Sequence, residues 1–166
     1  GLGPSNYPDT AVGNGVLMGI SGFKKSMMAI KMGGRGDITA THRLWHVEQT
    51  PQRVGSGVIH DGHLYIANDP GLAECINVTT GKTVWKQRLG GRLWGSILKA
   101  GKRLYVANTQ GQIYVLAAST TYRLIARNNM GEHIKAAPAP SDGQLFLRTY
   151  KNLYCIGERK QGVAGQ

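Results

Sequence analysis

Residues 57–89, GVIHDGHLYIANDPGLAECINVTTGKTVWKQRL, decide the fold. Short apolar runs alternate here with turn signals. Val58-Ile59 is followed by Asp61-Gly62, and residues 64–67 by Asn68-Asp69-Pro70-Gly71. Cys75-Ile76 leads into Thr79-Thr80-Gly81-Lys82, and Thr83-Val84-Trp85 closes the set. Asn, Asp, Gly and Pro favour tight reversals, so the stretch predicts four short strands in an antiparallel meander.

The pattern recurs along the chain. Leu64-Tyr65-Ile66-Ala67-Asn68 matches Leu104-Tyr105-Val106-Ala107-Asn108 at a shift of 40 residues, and Gly55-Ser56 matches Gly95-Ser96 at the same shift. Trp45 and Trp85 are also 40 apart, as are Cys75, Val115 and Cys155 in turn. Leu145 follows Leu104 by 41, which marks one added turn residue. A period of this length signals a solenoid, propeller or array. A single four-stranded meander leaves both faces bare, and packing successive meanders around an axis covers them.

The predicted fold is therefore all-β: a β-propeller of four-stranded antiparallel blades, with three complete blades and a partial fourth. Residues 1–160 form the partial propeller, with blades at 7–48, 52–92, 93–133 and 134–159, and 161–166 form a disordered tail. The innermost strands are expected at the small residues 55–57, at 94–98 and at 136–139. The Met-containing run at 24–32 is read as a strand. Between Ile30 and Trp45 lie six more residues than between Ile76 and Trp85, an insertion centred on Gly33-Gly34-Arg35-Gly36-Asp37. The opening residues 1–8 read as a linker or as the interior of a longer protein.

Residues 73–85, with Thr-Gly-Lys at 80–82 and Trp at 85, resemble the tryptophan-docking repeat of pyrroloquinoline-quinone (PQQ) β-propellers. Residues 8–158 as a whole are similar to the PQQ-like repeat proteins of bacterial cell envelopes, a group that includes the outer-membrane protein assembly lipoprotein. The resemblance implies that Trp45 and Trp85 pack against the neighbouring blade, with Gly81 in the docking turn. The third unit departs from the pattern, since residues 117–121 lack the Gly and Leu124-Ile125 stand where Trp is expected. The resemblance also implies a carboxy-terminal half of a ring, an extracytoplasmic or periplasmic location, and completion by the missing half, by a second copy or by a strand from the absent amino terminus.

Charge and composition narrow the function. The chain has 166 residues, 24 glycines and a formal charge of +11. Its Lys and Arg residues are scattered as singles and pairs, and no nucleic-acid motif accompanies them, which argues against a nucleic-acid partner. No apolar run reaches membrane-spanning length. His60 and His63 flank a turn, and His42 and His46 lie near Trp45, but the further ligands of a zinc site are not evident. Cys75 and Cys155 occupy equivalent positions two blades apart, too far for a disulfide, and both are expected to be buried apolar fillers.

The reading that remains is a non-catalytic scaffold that binds a protein or polymer through its loop faces, with no cofactor. The candidate contacts are the basic and aromatic residues Lys24, Lys25, Arg35, Arg92, Trp94 and Lys135, together with Asp37. The alternative is part of a PQQ-dependent alcohol or sugar oxidoreductase, carrying PQQ and Ca²⁺, whose catalytic residues lie outside this chain.

Overall fold

In the computed structural model, which describes residues 7–22 and 26–157, the forty-residue period becomes a repeating sheet. The first sheet holds β1 (Ala11–Gly13), β2 (Val16–Ile20), β3 (Met27–Lys31) and β4 (Arg43–Val47), with the short helix α1 (Thr39–His42) before β4. The second holds β5 (Val58–His60), β6 (His63–Ala67), β7 (Leu72–Asn77) and β8 (Thr83–Arg88). The third holds β9 (Leu98–Ala100), β10 (Arg103–Ala107), β11 (Gln112–Ala117) and β12 (Leu124–Asn129). The fourth has three strands, β13 (Ala139–Ser141), β14 (Gln144–Arg148) and β15 (Leu153–Ile156). Each is an antiparallel meander with its strands in chain order, as a β-propeller blade requires.

Turn chemistry sets the registers. Asn14, Asp61 and Asp142 adopt positive φ, each followed by a positive-φ glycine, and join the first two strands of their blades. At the other end of the second and third blades, Asn68 and Asn108 are buried. Their side-chain oxygens accept the amides of Leu72 at 3.0 Å and Gln112 at 2.9 Å. Thr149 does the same in the fourth blade, where its hydroxyl accepts the Asn152 amide at 3.0 Å. A buried turn of this kind is stable only when its amides find partners.

The core consists of apolar layers between adjacent sheets. Met18, Ile20 and Ala29 meet Leu64, Ile66 and Ile76 in the first layer. Tyr65, Ala73 and Cys75 meet Leu104, Val106 and Leu116 in the second, and Ala107 and Ile113 meet Ile134 and Leu147 in the third. Side chains alternate between the two faces of each strand, so both faces of an interior blade read as apolar.

The structure corrects several expectations. The innermost strands lie further along the chain, at β5, β9 and β13. The small residues before them instead let the backbones of adjacent blades touch. A β-carbon on Gly55 would lie 2.3 Å from the Gly95 carbonyl oxygen. Ser56 donates its amide to Ser96 Oγ at 2.9 Å, and Ile97 donates its amide to the Ser56 carbonyl at 3.0 Å, so these hydrogen bonds run between blades rather than along a ladder. The insertion is not featureless either. It holds the helical turn α1, and just before that turn Asp37 Oδ1 accepts the Thr39 amide at 2.9 Å. That hydrogen bond also holds the Asp37 carboxyl below its ordinary pKa.

Cys75 is buried, and burial pushes its thiol up to about 11. Cys155 is exposed, contrary to expectation, because no described sheet covers the outer face of the fourth blade. Leu153 on that face is 71% exposed, and Val12 on the outer face of the first blade is 55% exposed. The expected tail at 161–166 lies outside the described residues.

Candidate binding site on the loop end

Antiparallel topology sends the turns between second and third strands, and the connections between sheets, to one end of the blades. The backbone there repeats closely. Asp69 donates its amide to the Gln52 carbonyl at 2.8 Å, Thr109 to Arg92 at 2.8 Å, and Tyr150 to His133 at 3.0 Å. The side chains at these matched positions do not repeat: Asp, Thr and Tyr on one side, Gln, Arg and His on the other. Two residues further on, Val54, Trp94 and Lys135 differ in the same way. A constant frame carrying variable side chains is how a repeat scaffold displays a recognition surface.

Trp94 is the centre of this end. Its Nε1 donates to Asp69 Oδ1 at 2.5 Å. The guanidinium of Arg92 lies 5.7 Å from the indole centroid, and Arg92 Nε is 3.7 Å from Asp69 Oδ1. Lys135 Nζ lies 5.0 Å from the same indole and 5.5 Å from the Tyr150 ring, so one ammonium is bracketed by two aromatic rings. His133 meets the Tyr150 ring edge-on at 5.9 Å and contacts the Thr109 carbonyl through Nδ1 at 2.7 Å. Beside this group a cavity of about 380 Å³ is lined by Lys135, Ala136, Arg148, Thr149 and Tyr150. Among the described residues no carboxylate lines it.

The nearest acids are engaged elsewhere. Asp69 holds Trp94 and Arg92. Glu132 accepts the Thr149 hydroxyl at 2.6 Å, Asn152 Nδ2 at 2.5 Å, the Tyr154 hydroxyl at 3.0 Å and the Lys151 amide at 3.2 Å. These hydrogen bonds, the one from Thr149 foremost, hold the Glu132 carboxyl below its ordinary pKa.

The structure thus brings Arg92, Trp94 and Lys135 together, as one group at one end. Arg35 and Asp37 sit in the β3–β4 connection at the opposite end and join no such cluster. Lys24 and Lys25 lie outside the described residues. Asp69, His133, Arg148 and Tyr150 escaped the sequence reading. The signal that finds them is the 41-residue step into the fourth unit, which sets Tyr150 opposite Thr109 and Asp69.

Contacts between sheets involve the other tryptophans. Trp45 Nε1 donates to the Val78 carbonyl at 2.8 Å, and a β-carbon on Gly81 would lie 2.8 Å from Trp45 Cδ2. Trp85 Nε1 donates to the Ser119 carbonyl at 3.0 Å, with Tyr122 edge-on at 5.5 Å. A further inter-blade device is fully buried. Arg53 Nη2 meets Glu74 Oε2 at 2.7 Å, and their side chains are 2% and 6% exposed. Lys86 reaches the other Glu74 oxygen at 3.3 Å, while Arg53 Nε is buried with no hydrogen-bond partner among the described residues. Burial, only partly offset by Glu74, lowers the Arg53 pKa.

Among the described residues no side chains are grouped to hold the cation of a bound quinone. The Trp94 indole carries the Arg92 guanidinium and the Lys135 ammonium at 5.7 and 5.0 Å from its centroid. Among the described residues no group of three or more His, Cys, Asp or Glu side chains converges. His60 instead meets Asp61 Oδ2 at 3.2 Å, and His63 Nδ1 meets the Asp61 carbonyl at 2.6 Å. Among the described residues, no helix is long and apolar enough to cross a membrane.

Comparison with known proteins places this geometry. Residues 35–124 match the family described as outer membrane protein assembly factor BamB. No curated protein matches the sequence. Among solved structures, BamB from Moraxella catarrhalis superposes with a TM-score of 0.71 at 15% identity, over 90% of this chain and 46% of that one. The chain thus spans about half the length of that protein. The computationally designed Ika4 protein gives 0.71 at 12% identity, over 93% of this chain and 94% of that one. A europium-containing methanol dehydrogenase gives 0.56 at 12% identity, over 71% of this chain and 23% of that one. At these identities the likeness is one of fold.

Proposed function

The chain belongs to the family of the outer membrane protein assembly factor BamB, and from that premise we propose that it is a non-catalytic PQQ-like propeller scaffold that binds a protein or polymer through one loop end. The observation that carries this reading is the group of Arg92, Trp94, Lys135 and Tyr150 on a backbone frame that otherwise repeats. Such a group has the amphipathic, rigid surface that recognition sites favour. It lacks the paired acids and bases of a catalytic centre. In this reading Trp45 and Trp85, with Gly81, fasten adjacent blades. Further blades, from the same polypeptide or a second copy, cover the exposed outer faces. The family points to an extracytoplasmic setting and a partner in an assembly.

The test is a binding panel on the immobilised chain, using poly-L-glutamate, poly-L-lysine and dextran. The proposal expects saturable binding of at least one polymer, lost in Trp94→Ala and kept in Arg35→Ala. Binding of none, or binding that survives Trp94→Ala, contradicts it.

A further inference from the structure

We infer that the loop-end cavity is a receptor for an acidic peptide segment, whose carboxylates seat against Lys135 and Arg148 while its backbone lies across Tyr150 and Trp94. This rests on the binding role proposed above and names the ligand class.

The argument begins with unused hydrogen-bonding capacity. An ammonium has three donors and no acceptor. Lys135 Nζ is held between the Trp94 and Tyr150 rings, yet it forms no ion pair among the described residues, and neither does Arg148. The two acids close by are already committed, Asp69 to Trp94 and Arg92, and Glu132 to the four donors around Thr149. Among the described residues neither cation lining the cavity is neutralised by an ion pair, and no uncommitted carboxylate stands beside them.

The aromatic bracket adds preorganisation. Contacts with two rings restrict the Lys135 side chain without consuming its donors. A ligand carboxylate then gains a charge-assisted hydrogen bond while less rotamer freedom is lost on binding. The cavity, about 380 Å³, has room for one or two side chains rather than a drug-sized ligand buried whole. A peptide that inserts acidic side chains from a strand lying across the rim suits that size. The formal charge of +11 steers acidic partners toward the surface. Nucleic acid fits less well, because the cations converge on one small cavity rather than tracking a backbone.

The test is fluorescence anisotropy of a fluorescein-labelled decaglutamate peptide against the whole chain at low and moderate salt. Matched lysine and glycine-serine peptides serve as controls. The expected result is binding of the acidic peptide alone, weakened about tenfold by Lys135→Met, the loss of one charge-assisted hydrogen bond. Lys135 is exposed, so the variant keeps its fold, and circular dichroism checks this. Lys82→Met, an exposed cation at the opposite end, leaves affinity unchanged. Three results overturn the inference: no binding of the acidic peptide, equal loss in Lys82→Met, or full displacement by inorganic phosphate at matched ionic strength, which marks a site for a compact dianion. If dextran or polylysine binds in a Trp94-dependent way while decaglutamate does not, the binding role stands and the acidic ligand is wrong.

Discussion

Trp45 donates its indole N–H to the carbonyl of Val78 in the next blade, at 2.8 Å, while its ring rests on Gly81. The glycine sits at φ +70°, and a β-carbon there would strike the indole at 2.8 Å. Trp45→Phe keeps most of the apolar contact but removes the donor, and is expected to cost about 1–2 kcal/mol. Gly81→Ala combines left-handed strain with the clash and is expected to cost at least about 1 kcal/mol. Thermal denaturation checks both, at about 2–4 °C per kcal/mol for a chain of this size. An unchanged melting temperature in both variants removes the fastening role.

Arg53 and Glu74 form the buried ion pair between the first two blades. One repeat later the same positions hold Leu93, fully buried, and Tyr114, whose hydroxyl donates to the Leu89 carbonyl. Arg53→Leu alone leaves Glu74 buried with Lys86 and the Asn68 side-chain amide, which donates to Glu74 Oε2 at 3.3 Å, and a loss of about 3 kcal/mol is expected. Arg53→Leu combined with Glu74→Tyr copies the third blade and is expected to recover most of that loss. Urea denaturation of the single and double variants measures the coupling.

Glu132 predicts an acid-sensitive joint between the third and fourth blades. Its carboxyl is held below the ordinary value by hydrogen bonds that only the ionised form accepts in full. The folded state therefore gains stability from it above the unfolded carboxyl's pKa, and loses that gain as pH falls through the lower folded value. Denaturation midpoints taken from pH 7 down to pH 3 should fall more steeply for the native chain than for Glu132→Gln. Parallel curves contradict this.

The two cysteines should separate kinetically. Cys75 is buried with a thiol pushed up to about 11, while Cys155 is exposed. A thiol-reactive chromophore is expected to label one site promptly in the native chain and the second only on unfolding. Prompt labelling of both places Cys75 outside the core.

These residues show what the sequence could and could not disclose. The meander in 57–89 and its copy in 93–133 were legible because Asp-Gly and Asn-containing turns punctuate alternating apolar runs. The innermost strands were misplaced because Gly55, Gly95 and Ala136 are small for the close approach of neighbouring backbones, not for strand formation. The helical turn Thr39–His42 was hidden in a glycine-rich insertion with no periodicity of its own. Arg92, Trp94 and Lys135 stood out as basic and aromatic residues. Their partners Asp69, Arg148 and Tyr150 did not, since meeting them depends on three different connections arriving at one end. Arg35 was chosen by the same criterion and Asp37 as its neighbour in the insertion, but the β3–β4 connection carries both to the other end.

The most direct test of the account is amide hydrogen exchange of the whole chain with and without saturating poly-L-glutamate. The account predicts added protection in the loop-end segments 68–71, 92–96, 133–136 and 149–152, with the opposite-end segments 33–42, 79–82 and 118–122 unchanged. Protection confined to the opposite end, or none at saturation, contradicts it.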